Sequence, residues 1–97
     1  MVTEIIIYIG GDNKTKMVSD EYFKKIESIL SRHWDGFTLT KHKGYYKGQV
    51  EESVSAVIMV LQLVFEQLDN CVKDLKVELV QETIGIKITS NVDFKLK

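Results

Sequence analysis

The sequence predicts a two-layer α+β fold, and three observations carry that prediction. Two segments have apolar residues at offsets of three and four, the spacing that puts them on one face of a helix. Four others are β-branched or alternating runs bounded by glycine, asparagine or aspartate. Their order along the chain is strand, helix, strand, strand, helix, strand. With 97 residues, the chain is expected to form one domain over 1–97, burying roughly 60–70% of its unfolded surface around a two-layer core.

The first strand is Glu4 to Ile9, a nearly unbroken β-branched and aromatic run halted by Gly10-Gly11-Asp12-Asn13. Ser19 is a good N-cap, with Asp20 and Glu21 in the first turn where the helix dipole favours acids. Val18 and Phe23 have the spacing of a hydrophobic staple. Tyr22, Phe23, Ile26, Ile29, Leu30, His33 and Trp34 form the buried stripe of this helix, which Asp35-Gly36 ends.

"FTLTKHKGYY" alternates, with Phe37, Leu39, Lys41, Lys43 and Tyr45 on one side and Thr38, Thr40, His42 and Tyr46 on the other. After a turn at Gly48, "SVSAVIMV" is a third strand, apolar on both faces. Leu61, Val64, Phe65, Leu68, Val72, Leu75 and Leu79 mark a second helix of five turns. Ile84, Ile86, Ile88, Val92, Phe94 and Leu96 hold one even parity, the mark of a long last strand or two strands in phase. The βαββαβ order implies a ferredoxin-like two-layer sandwich: a four-stranded antiparallel sheet with two helices on one face.

Thr3-Glu4, Val18-Ser19, "GFT" at 36–38, "GYY" at 44–46, "EES" at 51–53 and "QETIGIKITSNVDFKL" at 81–96 recur in this order in a group of proteins. By these motifs the chain resembles small, functionally uncharacterised bacterial and phage-borne proteins of ferredoxin-like fold. The resemblance spans nearly the whole chain. It implies the fold and a phage or mobile-element setting, and it carries no activity. Members of that group hold tryptophan where Tyr46 stands and Arg-Ser where this chain has Glu52-Ser53, so no role of that arginine carries over.

Composition narrows the functions. A net charge of −1 gives no global attraction to nucleic acid or to an anionic membrane. One cysteine, Cys71, permits no internal disulfide, so a cytoplasmic setting is the simplest expectation. The opening "MVTEIIIYIG" lacks a basic n-region and reads as a strand, neither a signal peptide nor a membrane span.

The middle strands hold the main anomaly. In this fold the first and third strands are central, and the sheet face away from the helices should alternate with polar residues. Instead Ile6 and Tyr8, with Val57 and Met59, make a second apolar set behind Ile5, Ile7, Ile9, Val54, Ala56, Ile58 and Val60. Such patches mark partner sites, and a homodimer or larger oligomer through the open face is the expectation. The alternative is that a loop or the last strand covers this face within one chain.

Candidate chemistry is sparse. "GGDNKTK" hints at a phosphate loop, but Met17 and Val18 intervene before Ser19, so a plain strand-to-helix turn is favoured. In the hairpin strip, Lys41, His42, Lys43 and Lys47 with Tyr45 and Tyr46 combine cations and flat aromatic faces, suiting a small anionic ligand or an acidic partner loop. Against that, Glu51 and Glu52 can pair with the lysines across the hairpin, lysine commonly protects edge strands, and the tyrosines are expected to pack on the sheet.

His33 reads as a packed histidine and Cys71 as a small buried hydrophobe beside Leu68 and Leu75. No catalytic constellation, metal site or cofactor is expected. The leading reading is a non-catalytic oligomer binding a protein partner or small ligand. The alternative is a small-molecule enzyme of the dimeric α+β barrel kind, with a site between sheet and helices and Tyr8, His42 and Tyr46 as its polar groups. RNA binding on the open sheet ranks last, because that face offers only Tyr8 for stacking.

Overall fold

The computed structural model describes residues 1–96. The elements are β1 (Val2–Gly10), α1 (Asp20–Ser31), β2 (Thr38–Tyr46), β3 (Gln49–Val60), α2 (Phe65–Glu78) and β4 (Gly85–Val92). The strands form one antiparallel sheet in the order β2-β3-β1-β4, so the fold is the ferredoxin-like α+β sandwich.

Register settles which parity of each strand faces the helices. Ile5 pairs with Ile58, Ile7 with Ala56 and Ile9 with Val54. These six are buried among Ile26, Ile29 and Leu30 of α1 and Leu68, Cys71 and Leu75 of α2. The middle of the space between sheet and helices is filled by this core.

Local chemistry starts α1 where the sequence places it. Ser19 Oγ accepts the Tyr22 amide at 3.1 Å, and Val18 beside it is buried. The helix ends at Ser31, earlier than the stripe implied. His33 and Trp34 follow in a tight turn, both amides donating to the Leu30 carbonyl at 3.0 and 2.9 Å. His33 is a packed histidine, as expected, with its Nε2 2.7 Å from Asp74 Oδ2 on α2. Trp34 is the buried member, its Nε1–H directed at Cys71 Sγ, 3.3 Å away. Burial raises the Cys71 thiol pKa.

Two further expectations are corrected. The second helix begins only at Phe65, leaving Leu61 and Val64 exposed in the preceding loop and Phe65 itself 63% exposed. The even parity of the last strand breaks as well. Glu4 pairs with Thr89 but Val2 with Val92, so β4 carries one extra residue, a bulge at which Asn91 has φ 60°. Ile86 and Ile88 lie on the helix side, whereas Val92 is turned to the open face beside Val2. Phe94 and Leu96 lie beyond the strand and are exposed.

The open face is more mixed than the apolar reading predicts. Two rows cross it: Thr38–Val57–Ile6–Lys87 and Thr40–Ser55–Tyr8–Gly85. Ile6, Val57 and Met59 are half-buried, and Tyr8 is 46% exposed. A Cβ at Gly85 would lie 3.3 Å from Tyr8 Cβ, so Tyr8 covers the bare backbone of the glycine. The described residues leave this face uncovered, and no helix among them is long and apolar enough to cross a membrane.

Candidate functional site

β2 and β3 run on past the core as a long hairpin, paired out to Tyr46–Gln49. Its two-residue turn is Lys47-Gly48, at φ 50° and 78°, positive at both positions as a type I′ turn demands. Where this hairpin leaves the body of the sheet, its inner wall faces the β1–α1 loop and the segment after α2. Together they enclose a cleft of about 310 Å³ whose walls include Tyr45, Tyr46, Glu51, Glu52, Gly11 and Gln81. A second lobe of about 420 Å³ lies beside it, sharing Asn13, Lys16 and Gln81 and adding Glu82 and Thr83.

Each wall is fixed by contacts far apart in sequence. Asp12 Oδ1 accepts the Lys14 amide at 2.8 Å, tightening the β1–α1 loop. Lys16, at φ 60°, donates its amide to the Asp12 carbonyl at 2.7 Å, and its carbonyl accepts the Glu52 amide at 2.8 Å. Gly11 is required at this crossing, because a Cβ there would stand 2.7 Å from the Glu52 carbonyl oxygen. The "GGDNKTK" loop is thus a turn tied to the hairpin.

The segment after α2 is built the same way. Val80, at φ 53°, is the left-handed residue of a Schellman-type end, and the Gln81 amide returns to the Lys76 carbonyl at 2.9 Å. That reversal sends the Gln81 side chain inward, where Nε2 donates to the Gly11 carbonyl at 2.8 Å and lies 3.1 Å from Tyr22 Oη. Asn13 Nδ2 donates to the Val80 carbonyl. Burial raises the Tyr22 pKa, so the phenol keeps its proton and donates to the Gly10 carbonyl at 2.7 Å.

The two neighbouring glutamates have different duties. Glu52 Oε1 accepts the Val18 amide at 2.8 Å, and Oε2 lies 3.3 Å from Lys41 Nζ. The Val18 hydrogen bond, then Lys41, hold its carboxyl below the usual range. Glu52 is a fastener between the hairpin and the start of α1. Glu51 and Lys16 both line the cleft and have no ion pair among the described residues, so both charges are available to a ligand.

Of the residues the sequence nominates, the structure brings Tyr45 and Tyr46 to the cleft. They do not pack on the sheet as expected: Tyr45 is 73% and Tyr46 62% exposed. The lysines are not cleft walls. Lys41 is engaged by Glu52, Lys43 stands opposite Glu52 in the register, and Lys47 Nζ sits 5.4 Å from the Tyr46 ring centre. His42 is on the open face, its Nε2 2.7 Å from the buried Ser55 Oγ. With Ile6, Tyr8, Val57 and Met59 it forms a second locus, separate from the cleft. Lys16, Glu51, Gln81 and Glu82 were not nominated. Glu51, Gln81 and Glu82 fall in the quoted "EES" and "QETIG" motifs and Lys16 in the Gly-Gly-Asp turn, but none of these signals a ligand.

No family model matches this sequence, and no curated protein matches it. Solved structures do. A phage SAM lyase in complex with S-methyl-5′-thioadenosine is 22% identical, with 91% of this chain and 80% of that one covered and a TM-score of 0.64. A DUF3240 family protein from Shewanella baltica OS155 is 14% identical over 100% of this chain and 99% of that one, TM-score 0.63. The periplasmic divalent cation tolerance protein CutA from Archaeoglobus fulgidus is 14% identical over 100% and 89%, TM-score 0.54. At these identities the likeness is one of fold.

Proposed function

We propose that this chain is a small-ligand protein whose site is the hairpin cleft and whose ligand is a purine nucleoside carrying sulfur at its 5′ position, of the S-adenosylmethionine class. The carrying observation is that one cleft is lined by two exposed tyrosines and by Glu51, whose carboxylate has no ion pair among the described residues. Aromatic faces stack on a purine, and both an aromatic face and a carboxylate favour a sulfonium cation. The reading replaces the anionic ligand expected from the lysines, because those lysines are occupied or point elsewhere. The fold shared with a SAM lyase bound to S-methyl-5′-thioadenosine supports the choice of nucleoside.

Turnover is the second reading, favoured by that same neighbour. Release of S-methyl-5′-thioadenosine from S-adenosylmethionine breaks the bond from sulfur to the aminobutyryl chain. As it breaks, the ligand's own carboxylate oxygen forms a bond to the same carbon and closes a lactone; the sulfur keeps the electron pair and becomes neutral, so a protein carboxylate near it serves binding of the cation more than departure of the product.

The protein acts as a homodimer or larger oligomer through Ile6, Val57 and Met59, in a cytoplasmic setting. Half-buried aliphatic groups on two central strands are what a second copy would cover.

Calorimetric titration with S-adenosylmethionine and with S-methyl-5′-thioadenosine tests the binding. Chromatography of a prolonged incubation with S-adenosylmethionine separates binding from turnover. Saturable binding of either nucleoside that is lost in a Tyr45→Ala, Tyr46→Ala double variant is expected. Absence of binding by the intact protein would end the reading.

A further inference from the structure

The second lobe differs in chemistry from the first. Its wall has no aromatic residue; it brings a lysine, Lys16, and a glutamate, Glu82, to one cavity with Asn13, Gln81 and Thr83. Asn13, Lys16 and Gln81 belong to both lobes, so the two are continuous and a ligand can extend from one into the other.

Lys16 is not held there by accident of a loose loop. Its φ of 60° is a conformation that L-residues other than asparagine and aspartate seldom adopt. It is held by hydrogen bonds on both sides, its amide to Asp12 and its carbonyl from Glu52. Neither Lys16 nor Glu82 has an ion-pair partner among the described residues. Opposite charges with amides between them complement a zwitterion. Gln81 is locked by Gly11 and Tyr22, and it separates the charged end from the tyrosines.

We infer that the second lobe takes the α-amino-acid end of the ligand, the Lys16 ammonium meeting its carboxylate and the Glu82 carboxylate meeting its amino group. This rests on the nucleoside reading above and deepens it from a nucleoside site to one that selects nucleosides bearing an amino-acid arm. Charge-assisted hydrogen bonds at both groups make the arm a source of specificity.

S-adenosylhomocysteine and S-methyl-5′-thioadenosine test this, because both are uncharged at sulfur and they differ in the amino-acid arm. Calorimetry on the full chain should give tighter binding of S-adenosylhomocysteine. Glu82→Gln, at a residue that lines only the second lobe, should weaken it on the order of tenfold and leave S-methyl-5′-thioadenosine unchanged. Lys16→Ala should weaken S-adenosylhomocysteine by a larger factor than S-methyl-5′-thioadenosine, because Lys16 lines both lobes. Lys16→Gly, which suits the positive φ and removes the side chain with its ammonium, should reproduce Lys16→Ala with the fold intact. Equal weakening of both nucleosides by Glu82→Gln, or of neither, would overturn the inference while the nucleoside site stands. Failure of both nucleosides to bind the unaltered protein would overturn the site itself and the inference with it.

Discussion

Ile6 and Ile7 are adjacent on β1 and carry the same side chain on opposite faces of one sheet, which makes them an internal control for the open-face interface. Ile7 is 0% exposed, pairs with Ala56 and Ile86, and sits in the packed core. Truncation to alanine removes its burial and leaves a cavity, a loss of about 2–5 kcal/mol. In a chain of this length that lowers the melting temperature by on the order of 10–20 °C, whatever the protein concentration. Ile6 is half-buried beside Val57, so its truncation in a lone copy costs about 1 kcal/mol, half of a full isoleucine burial. An isologous interface counts each substitution twice, so Ile6→Ala should weaken a dimer by about 2 kcal/mol, roughly thirtyfold in Kd. Light scattering on a sizing column across a dilution series reads the dissociation, and thermal unfolding at high and low concentration reads the stability. Ile7→Ala should melt early at every concentration with assembly otherwise normal. Ile6→Ala should melt almost normally when dilute and dissociate at higher concentration than the parent. An Ile6→Ala protein with the parent's mass at every dilution would refute the open-face interface.

Glu52→Gln should flatten the acid limb of stability. The folded-state pKa of Glu52 is lowered, first by the Val18 amide, so its contribution is present above the unfolded value and is lost as pH falls through the folded one. Urea midpoints measured from pH 6 down through 4.5 and below should fall less steeply in the variant. Val80→Gly should stabilise by about 1 kcal/mol, because a β-branched residue at φ 53° is strained where glycine is not; a chemical denaturation series measures it. Gly11→Ala should destabilise by about 1–3 kcal/mol through its clash with the Glu52 carbonyl and weaken nucleoside binding with it, both read by titration on the folded fraction. Glu51→Gln should weaken S-adenosylmethionine more than S-adenosylhomocysteine, since only the former carries a sulfonium; equal affinities in the variant and parent would remove Glu51 from the site. Cys71, buried against Trp34, should react with a thiol reagent only at the rate of unfolding, a trace that a spectrophotometer follows directly.

The periodicity of residues made the sheet, both helices and their order legible before any coordinates. Ser19 announced its cap, and the alternating runs announced which strands were central. These features are local: each depends on side chains within one or two turns of chain. The errors were local readings of non-local facts. His33 and Trp34 have helical spacing, but the turn after Ser31 sends one to Asp74 and the other to Cys71. Val92 shares parity with Ile86, and a single extra residue at Asn91 turns it to the other face. The tyrosines of "GYYKG" looked like sheet packing because nothing in ten residues says that the hairpin outruns the core.

The amino-acid sequence by itself determined the layers, the helix-facing half of the core and the existence of a second, half-apolar sheet face, because burial follows from periods of 3.6 and 2. Only the tertiary structure decided where a ligand could sit. Gly11 and Lys16, Glu51 and Glu52, and Gln81 and Glu82 are roughly 30–70 positions apart, and they converge because antiparallel pairing aligns the end of β1 with the base of the β2–β3 hairpin. The left-handed Val80 then turns Gln81 into the gap, where hydrogen bonds to Gly11 and Tyr22 hold it. No local pattern encodes such a convergence, since it is the register of the sheet that sets which loops meet.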